Sequence, residues 1–148
     1  MIDNSLLTRL TADADLDGVQ QLVVGAVVQH EGKVLLLQRP ADDFMGGIWE
    51  LPSGKVEGGE ALDAALKREV EEETGLKVAV IQHYLGHFDY NSGSGKKSRQ
   101  FNFAVDVAAP APVALTEHDA YEWRALAEDL AVTDSVKEVL KRYQELQE

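Results

Sequence analysis

Glu69, Glu72 and Glu73 crowd three carboxylates into one short stretch, directly after Arg68 and within a run of good helix formers. At about 100° per residue, Leu62, Leu66 and Val70 form a single apolar stripe. Glu69 and Glu73 fall near the azimuth of Leu62, and Glu72 flanks them on the Ala65 side. Asp63, Lys67 and Glu71 cover the opposite face. The spacing therefore predicts three carboxylates on the core-facing side, where the apolar residues stop. An ordinary solvated acidic helix accounts for Glu71 but not for the other three. Mutually repelling, partly buried carboxylates take raised pKa values and cost stability unless a cation sits among them. Mg²⁺ or Mn²⁺ suits such a site, because hard cations take carboxylate oxygens and bridge phosphates.

The elements that must hold these carboxylates are readable around them. Gly54, Gly58 and Gly59 read as a loop able to reach φ > 0 and to approach a ligand closely. Glu60 opens the helical run and Gly75 stops it. Upstream, Gln21 to His30 and Lys33 to Gln38 are β-rich runs around the hairpin signal Glu31-Gly32. Ile48 to Leu51 is a short extended piece that Pro52 ends. Downstream, Lys77 to Tyr90 and Arg99 to Val107 are strands joined by a polar loop, and a short strand follows around Tyr121 to Leu126. A last helix begins after Thr133 or Asp134 as N-cap, with Val136, Val139, Leu140 and Tyr143 inward.

From Gly54 to Leu76 the chain reads G-KVEGG-E-ALDAALK-RE-V-E-EE-T-G-L. This matches every fixed position of the Nudix box, so the chain resembles the Nudix hydrolase family. The resemblance implies an α/β fold, an α/β/α sandwich with a mixed central sheet over residues 21–148. Residues 1–20 then form an N-terminal extension. It implies a metal-dependent enzyme that splits a nucleoside diphosphate linked to some further group. Glu69, Glu72, Glu73 and the backbone at Gly54 would hold Mg²⁺ or Mn²⁺, and Arg68 would orient the carboxylates. Further positions resemble the MutT-type branch, which converts nucleoside triphosphates to monophosphate and pyrophosphate. On that reading Arg39 and Glu50 contact the nucleotide, Glu117 helps position metal or water, and Asp134 reads the base. Glu72, Glu73, Arg68 and Glu117 are the candidate catalytic set. A surface arginine, a solvated strand glutamate, a surface acid and a helix cap are the plainer readings of Arg39, Glu50, Glu117 and Asp134. Markers of ADP-ribose and dinucleotide hydrolases are missing: Asn91 and Gly93 stand where a proline and a tyrosine belong. Those substrates, nucleotide sugars and a non-cleaving nucleotide sensor remain the alternatives.

The 148 residues fit one domain. A net charge of −12 argues against a nucleic-acid surface and repels polyanions at long range. Phosphates must then be recruited by metal and by local basic residues. With no cysteine there is no disulfide framework. The polar, acidic start lacks a signal-peptide core, and no apolar run approaches the roughly 20 residues of a membrane span. A cytoplasmic protein with a nucleotide as partner is expected, its oligomeric state left open, a homodimer included.

Two stretches imitate other sites. Asp13-Ala-Asp15-Leu-Asp17-Gly18 resembles half an EF-hand loop, but Val24 occupies the position of the bidentate glutamate, so a solvated acidic turn is expected. Ser94-Gly95-Lys96-Lys97-Ser98 lacks the glycine and hydroxyl of a phosphate loop. Its Lys96 and Lys97, with Arg99, are a weaker candidate for greeting a triphosphate.

Overall fold

Continuous aliphatic runs become strands covered on both faces, and here they do. The computed structural model describes residues 2–42, 46–126 and 130–147. Strands β1 (Gln21–His30) and β2 (Lys33–Gln38) are antiparallel. Glu31 and Gly32 between them take φ of 49° and 77°, the doubly positive turn that suits a tight hairpin. Strand β3 (Trp49–Glu50) pairs with β2, and β4 (Ser53–Lys55) pairs with β1. After helix α2 (Leu62–Thr74), β5 (Val78–Asn91) and β6 (Lys97–Val107) form a long antiparallel pair. β6 lies parallel to β1, from Gln21 opposite Ser98 to Gln29 opposite Asp106. β7 (Ala120–Arg124) closes onto β2. The result is a seven-stranded mixed sheet, with the main order β3-β2-β1-β6-β5.

Alternation sends the residues of each strand to two cores. Val24, Ala26, Val28, Phe101, Phe103 and Val105 pack under α2 and under helix α1 (Asn4–Leu16). Val27, Leu36, Leu85 and Ala104 pack under helix α3 (Asp134–Gln147), against Val136, Val139, Leu140 and Tyr143. This is the α/β/α sandwich that the resemblance implies. None of the helices among the described residues is long and apolar enough to cross a membrane.

Helix α1 departs from the sequence expectation. The stretch 13–18 is not a solvated turn: the helix runs through Leu16, and Asp17 ends it with its N–H on Asp13 O at 3.0 Å. Asp3 starts it, its carboxylate accepting from Ser5 N at 2.8 Å. Leu7, Leu10 and Ala14 bury one narrow stripe against the sheet. Arg99 then locks the end of the helix down. It is 6% exposed, donates to Asp89 at 2.7 and 3.0 Å, and sits 3.0 Å from Asp17 Oδ2. Lys97 Nζ donates to Asp17 O at 2.7 Å. Two of the three basic residues of that tip, Lys97 and Arg99, are thus spent on α1, while Lys96 stays exposed.

Arg99→Leu should lower stability by about 1.5–3 kcal/mol, the worth of hydrogen bonds to charged groups, and the melting temperature by roughly 5 °C. The hydrogen bond from Arg99 holds the Asp89 carboxyl below its ordinary 3.8. A depressed carboxylate stabilises the fold above its unfolded pKa, and that stabilisation fades as pH falls through the folded value. The gap between wild type and variant should therefore be full at pH 7 and narrow below about pH 4. Thermal melts at the two pH values check this, and an unchanged melting temperature at pH 7 would refute the clamp.

Candidate functional site

Helix α2 places its carboxylates through a short N-terminus and an early stop. The helix begins at Leu62, with Ala61 as an N-cap lacking any side-chain bond, rather than at Glu60. Gly75 ends it in the left-handed region, φ 75°, donating to Glu71 O. Glu60, freed from the helix, folds back so that its Oε1 accepts from Glu57 N at 3.1 Å. Both its oxygens also accept from Arg68, at 2.8 and 2.9 Å, in a bidentate pair. That arginine holds the Glu60 carboxyl down to about 2.

Arg68 is the hub. Its Nη1 donates to Glu69 at 2.7 Å and to Glu72 at 3.2 Å, while Nη2 reaches Lys55 O at 2.9 Å. One guanidinium therefore ties the acidic face of α2 to the loop and to β4. Glu69 lies flat against Gly54: a Cβ there would stand 2.0 Å from the Glu69 carboxyl. The expectation of a positive-φ loop is corrected at this position. Gly54 is an ordinary strand residue opposite Val24, and the missing side chain makes room for a carboxylate. Only Gly59 among the three loop glycines takes positive φ, 78°.

Glu73 is buried, and its Oε1 accepts from Ser53 N at 2.7 Å. Burial pushes its carboxyl up to about 7, with the charges of Glu69 and Glu50 adding to the rise. Burial also raises Glu69, against the pull of Arg68. Glu72 does not share that setting: its side chain is 58% exposed, so it stands at the rim and not on the buried side. The helix turns Glu72 away from Leu62 by more than the stripe covers.

The segment before β7 closes the other side. Ala114 N donates to Thr74 O, Thr116 Oγ1 to Glu72 O, and Asp119 N to Gln38 O, stitching this loop to the end of α2 and to β2. From it His118 turns inward, its side chain 6% exposed, with Nε2 2.7 Å from Glu50 Oε2. Its Nδ1 lies 3.9 Å from Glu73 Oε2 and is the sole wholly buried side-chain polar atom without a partner among the described residues. The other Glu50 oxygen accepts from Arg39 Nε at 2.8 Å. The chain Arg39–Glu50–His118 thus runs up to Glu73. Glu117 is exposed beside His118, and its charge helps raise the His118 pKa behind the larger effect of Glu50.

Asp134 stands apart, on the α3 side of the sheet. It is the exposed first residue of α3, and the cap is Thr133, whose Oγ1 accepts from Val136 N at 3.3 Å. Asp134 lines a groove of about 330 Å³ with Leu85, His87, Phe88 and Arg142. Sequence reasoning missed Glu60 and His118 as parts of the site. Glu60 carried a signal, being a fixed position of the box. His118 carried none, because its partners are distant in the chain.

The donor set fits a hard divalent cation. It is all oxygen, from Glu69, Glu72, Glu73 and the Gly54 backbone, and burial raises its innermost carboxyl. Among the described residues no three acidic, histidine or cysteine side chains converge as a ready cage. Arg68, Ser53 and His118 hold the carboxylates instead.

The model of the NUDIX domain matches residues 19–143. The CTP pyrophosphohydrolase of Escherichia coli is 43% identical over 65 residues, 44% of this chain and 48% of that protein. A protein of Myxococcus xanthus named octanoyltransferase is 40% identical over 129 residues, 82% of this chain and 36% of that one. The chain thus spans about half or less of the length of these curated relatives. Among solved structures, the MutT protein of Methanosarcina mazei superposes with a TM-score of 0.71 at 28% identity, covering 86% of this chain and 95% of that one. With the box intact, the fold shared and the family model spanning most of its length, the chain belongs to the Nudix family, on its MutT-like side.

Proposed function

We propose that the protein hydrolyses a phosphoanhydride bond of a nucleoside triphosphate, releasing monophosphate and pyrophosphate. The observation that carries this reading is the convergence of Glu69 and Glu73 on the Gly54–Ser53 backbone, with Arg68 balancing their charge. The relative named CTP pyrophosphohydrolase supports a triphosphate over other anhydrides.

Glu69, Glu72, Glu73 and the Gly54 carbonyl would hold Mg²⁺ or Mn²⁺. When bound, the cation neutralises phosphate oxygens and acidifies a water for in-line attack. The residues supply the rest. Arg68 fixes the carboxylates so that little reorganisation is needed during reaction. Glu73, or Glu117 on the neighbouring loop, accepts the proton of the attacking water. Arg39, oriented by Glu50, contacts the phosphates, and Asp134 contacts the base.

A panel of canonical and oxidised nucleoside triphosphates, ADP-ribose and dinucleotides, incubated with Mg²⁺ and resolved chromatographically, tests the reading. At least one triphosphate should yield monophosphate and pyrophosphate, and EDTA should abolish the turnover. Cleavage confined to ADP-ribose or a dinucleotide would refute it.

A further inference from the structure

Resting on the nucleotide reading above, we infer that Gln100, besides Asp134, discriminates the nucleobase, pairing its amide with an adjacent donor and acceptor on the base.

Gln100 sits where the α3-side face of the sheet changes character. Val27 and Ala104 on that face are covered by α3. Further along β6 the same face continues as Asn102 and Gln100, 0% and 8% exposed. Two amides in a central strand, where aliphatics would pack, need a reason.

Asn102 has a complete one. Its Nδ2 donates to Gly86 O and to Gln100 O, and its Oδ1 accepts from Gln100 Nε2 at 2.9 Å. The Gly86 carbonyl lies where the β5–β6 register shifts between Tyr84 and His87. Asn102 therefore satisfies a group that the bulge removes from the ladder.

Gln100 is left half used. One Nε2 hydrogen goes to Asn102; the other, and Oε1, have no partner among the described residues. Oε1 is not sealed from solvent either. Asn102 holds one end of the amide, and this leaves one donor hydrogen and one acceptor on the same group. That is the edge with which a glutamine pairs two atoms of a base at once.

The bare Gly25 opposite Asn102 gives the two amides their space: a Cβ there would stand 2.4 Å from Gln100 Nε2 and 2.7 Å from Asn102 Oδ1. Aromatic residues that suit a flat ring lie beside them. Phe88 is the β5 partner of Gln100, and Tyr90 follows with its ring centroid 6.0 Å from that of Phe88 and 39% exposed. The reach to the carboxylates also fits. Asn102, Gly25 and Ser53 form one row across β6, β1 and β4, and Ser53 N holds Glu73. Two strand spacings and the two-residue step from Asn102 to Gln100 make roughly 12 Å, within the span of a nucleotide from base to phosphates. The exposed Lys55 lies on the Gln100 row across Val23.

Gln100→Leu removes both edge groups, and Gln100→Glu keeps the shape and an acceptor while losing the donor. In steady-state assays over the triphosphate panel, the kcat/KM ratio between the best and worst base should fall about ten- to hundredfold in each, the worth of a lost partner. Binding of the nucleoside monophosphates without metal, followed by calorimetry, should lose the same ranking. A uniform loss over all bases, an unchanged ranking, or a wild type that ranks no base overturns the inference. A wild type that cleaves no triphosphate but binds monophosphates with a ranking dependent on Gln100 overturns the hydrolase reading and leaves this one standing. Should Gln100→Leu fail to fold, Gln100→Glu decides alone.

Discussion

Glu73→Gln should lower kcat at least about 10²-fold with Mg²⁺ or Mn²⁺ while leaving the fold intact, because a charged oxygen ligand and proton acceptor becomes a neutral amide. The amide can still accept from Ser53 N, as Glu73 Oε1 does at 2.7 Å, so the backbone of β4 keeps its partner. Burial already disfavours the charge on this side chain, so neutralising it should raise the melting temperature or leave it alone. Loss of activity with gain of stability is the pattern expected of a group placed for chemistry. Glu71→Gln, two residues earlier on the exposed face of α2, should change neither quantity. Equal losses from the two substitutions would remove the reason for singling out Glu73. The two assays needed are steady-state kinetics and a thermal melt on each variant.

How far the sequence reaches is clearest from the elements on either side of this helix. β1, β2 and β6 were legible because their strand-forming runs bury on both sides, and β5 because its residues favour strands although few of them are buried. β4 was not, because Ser53-Gly54-Lys55 has no strand propensity of its own and reads as loop. Pairing with β1 makes it a strand, and this tertiary context outweighs local preference. α1 was missed for a related reason. Its acids and threonines suggest a solvated segment, and only three of its residues are buried. Its C-terminal end is held by Arg99, far along the chain, which no periodicity reveals. The box carboxylates were legible as types and spacing, but the helix azimuth was too coarse to separate buried Glu73 from exposed Glu72. The Arg39–Glu50–His118 chain is assembled from three segments, so its wiring exists only in the fold.

Gly54→Ala should be nearly as damaging as loss of a ligand, although it adds a single methyl group. A Cβ at this position would stand 2.0 Å from the carboxyl carbon and one oxygen of Glu69, well inside contact distance. Something must move, and the choices are few. Glu69 is anchored by Arg68 at 2.7 Å, and Arg68 is anchored in turn by Glu60 and by Lys55 O. β4 is held by β1 across Val23, Val24 and Gly25, and by Ser53 N on Glu73. Either the carboxylate leaves the arginine or the strand leaves the sheet edge. Both displace the Gly54 carbonyl relative to Glu69 and Glu73 by about an ångström, and misplacement on that scale can cost on the order of 10² in rate. The fold should survive, because the two cores are built from other residues. Glu69→Ala in the Gly54→Ala background separates the two causes. If the methyl group acts by expelling the Glu69 carboxylate, the double variant should be no slower than Glu69→Ala alone, the non-additivity of residues sharing one contact. If the two losses multiply, Gly54 acts through its own backbone. A Gly54→Ala enzyme with full activity would mean that the close contact with Glu69 has no part in the chemistry.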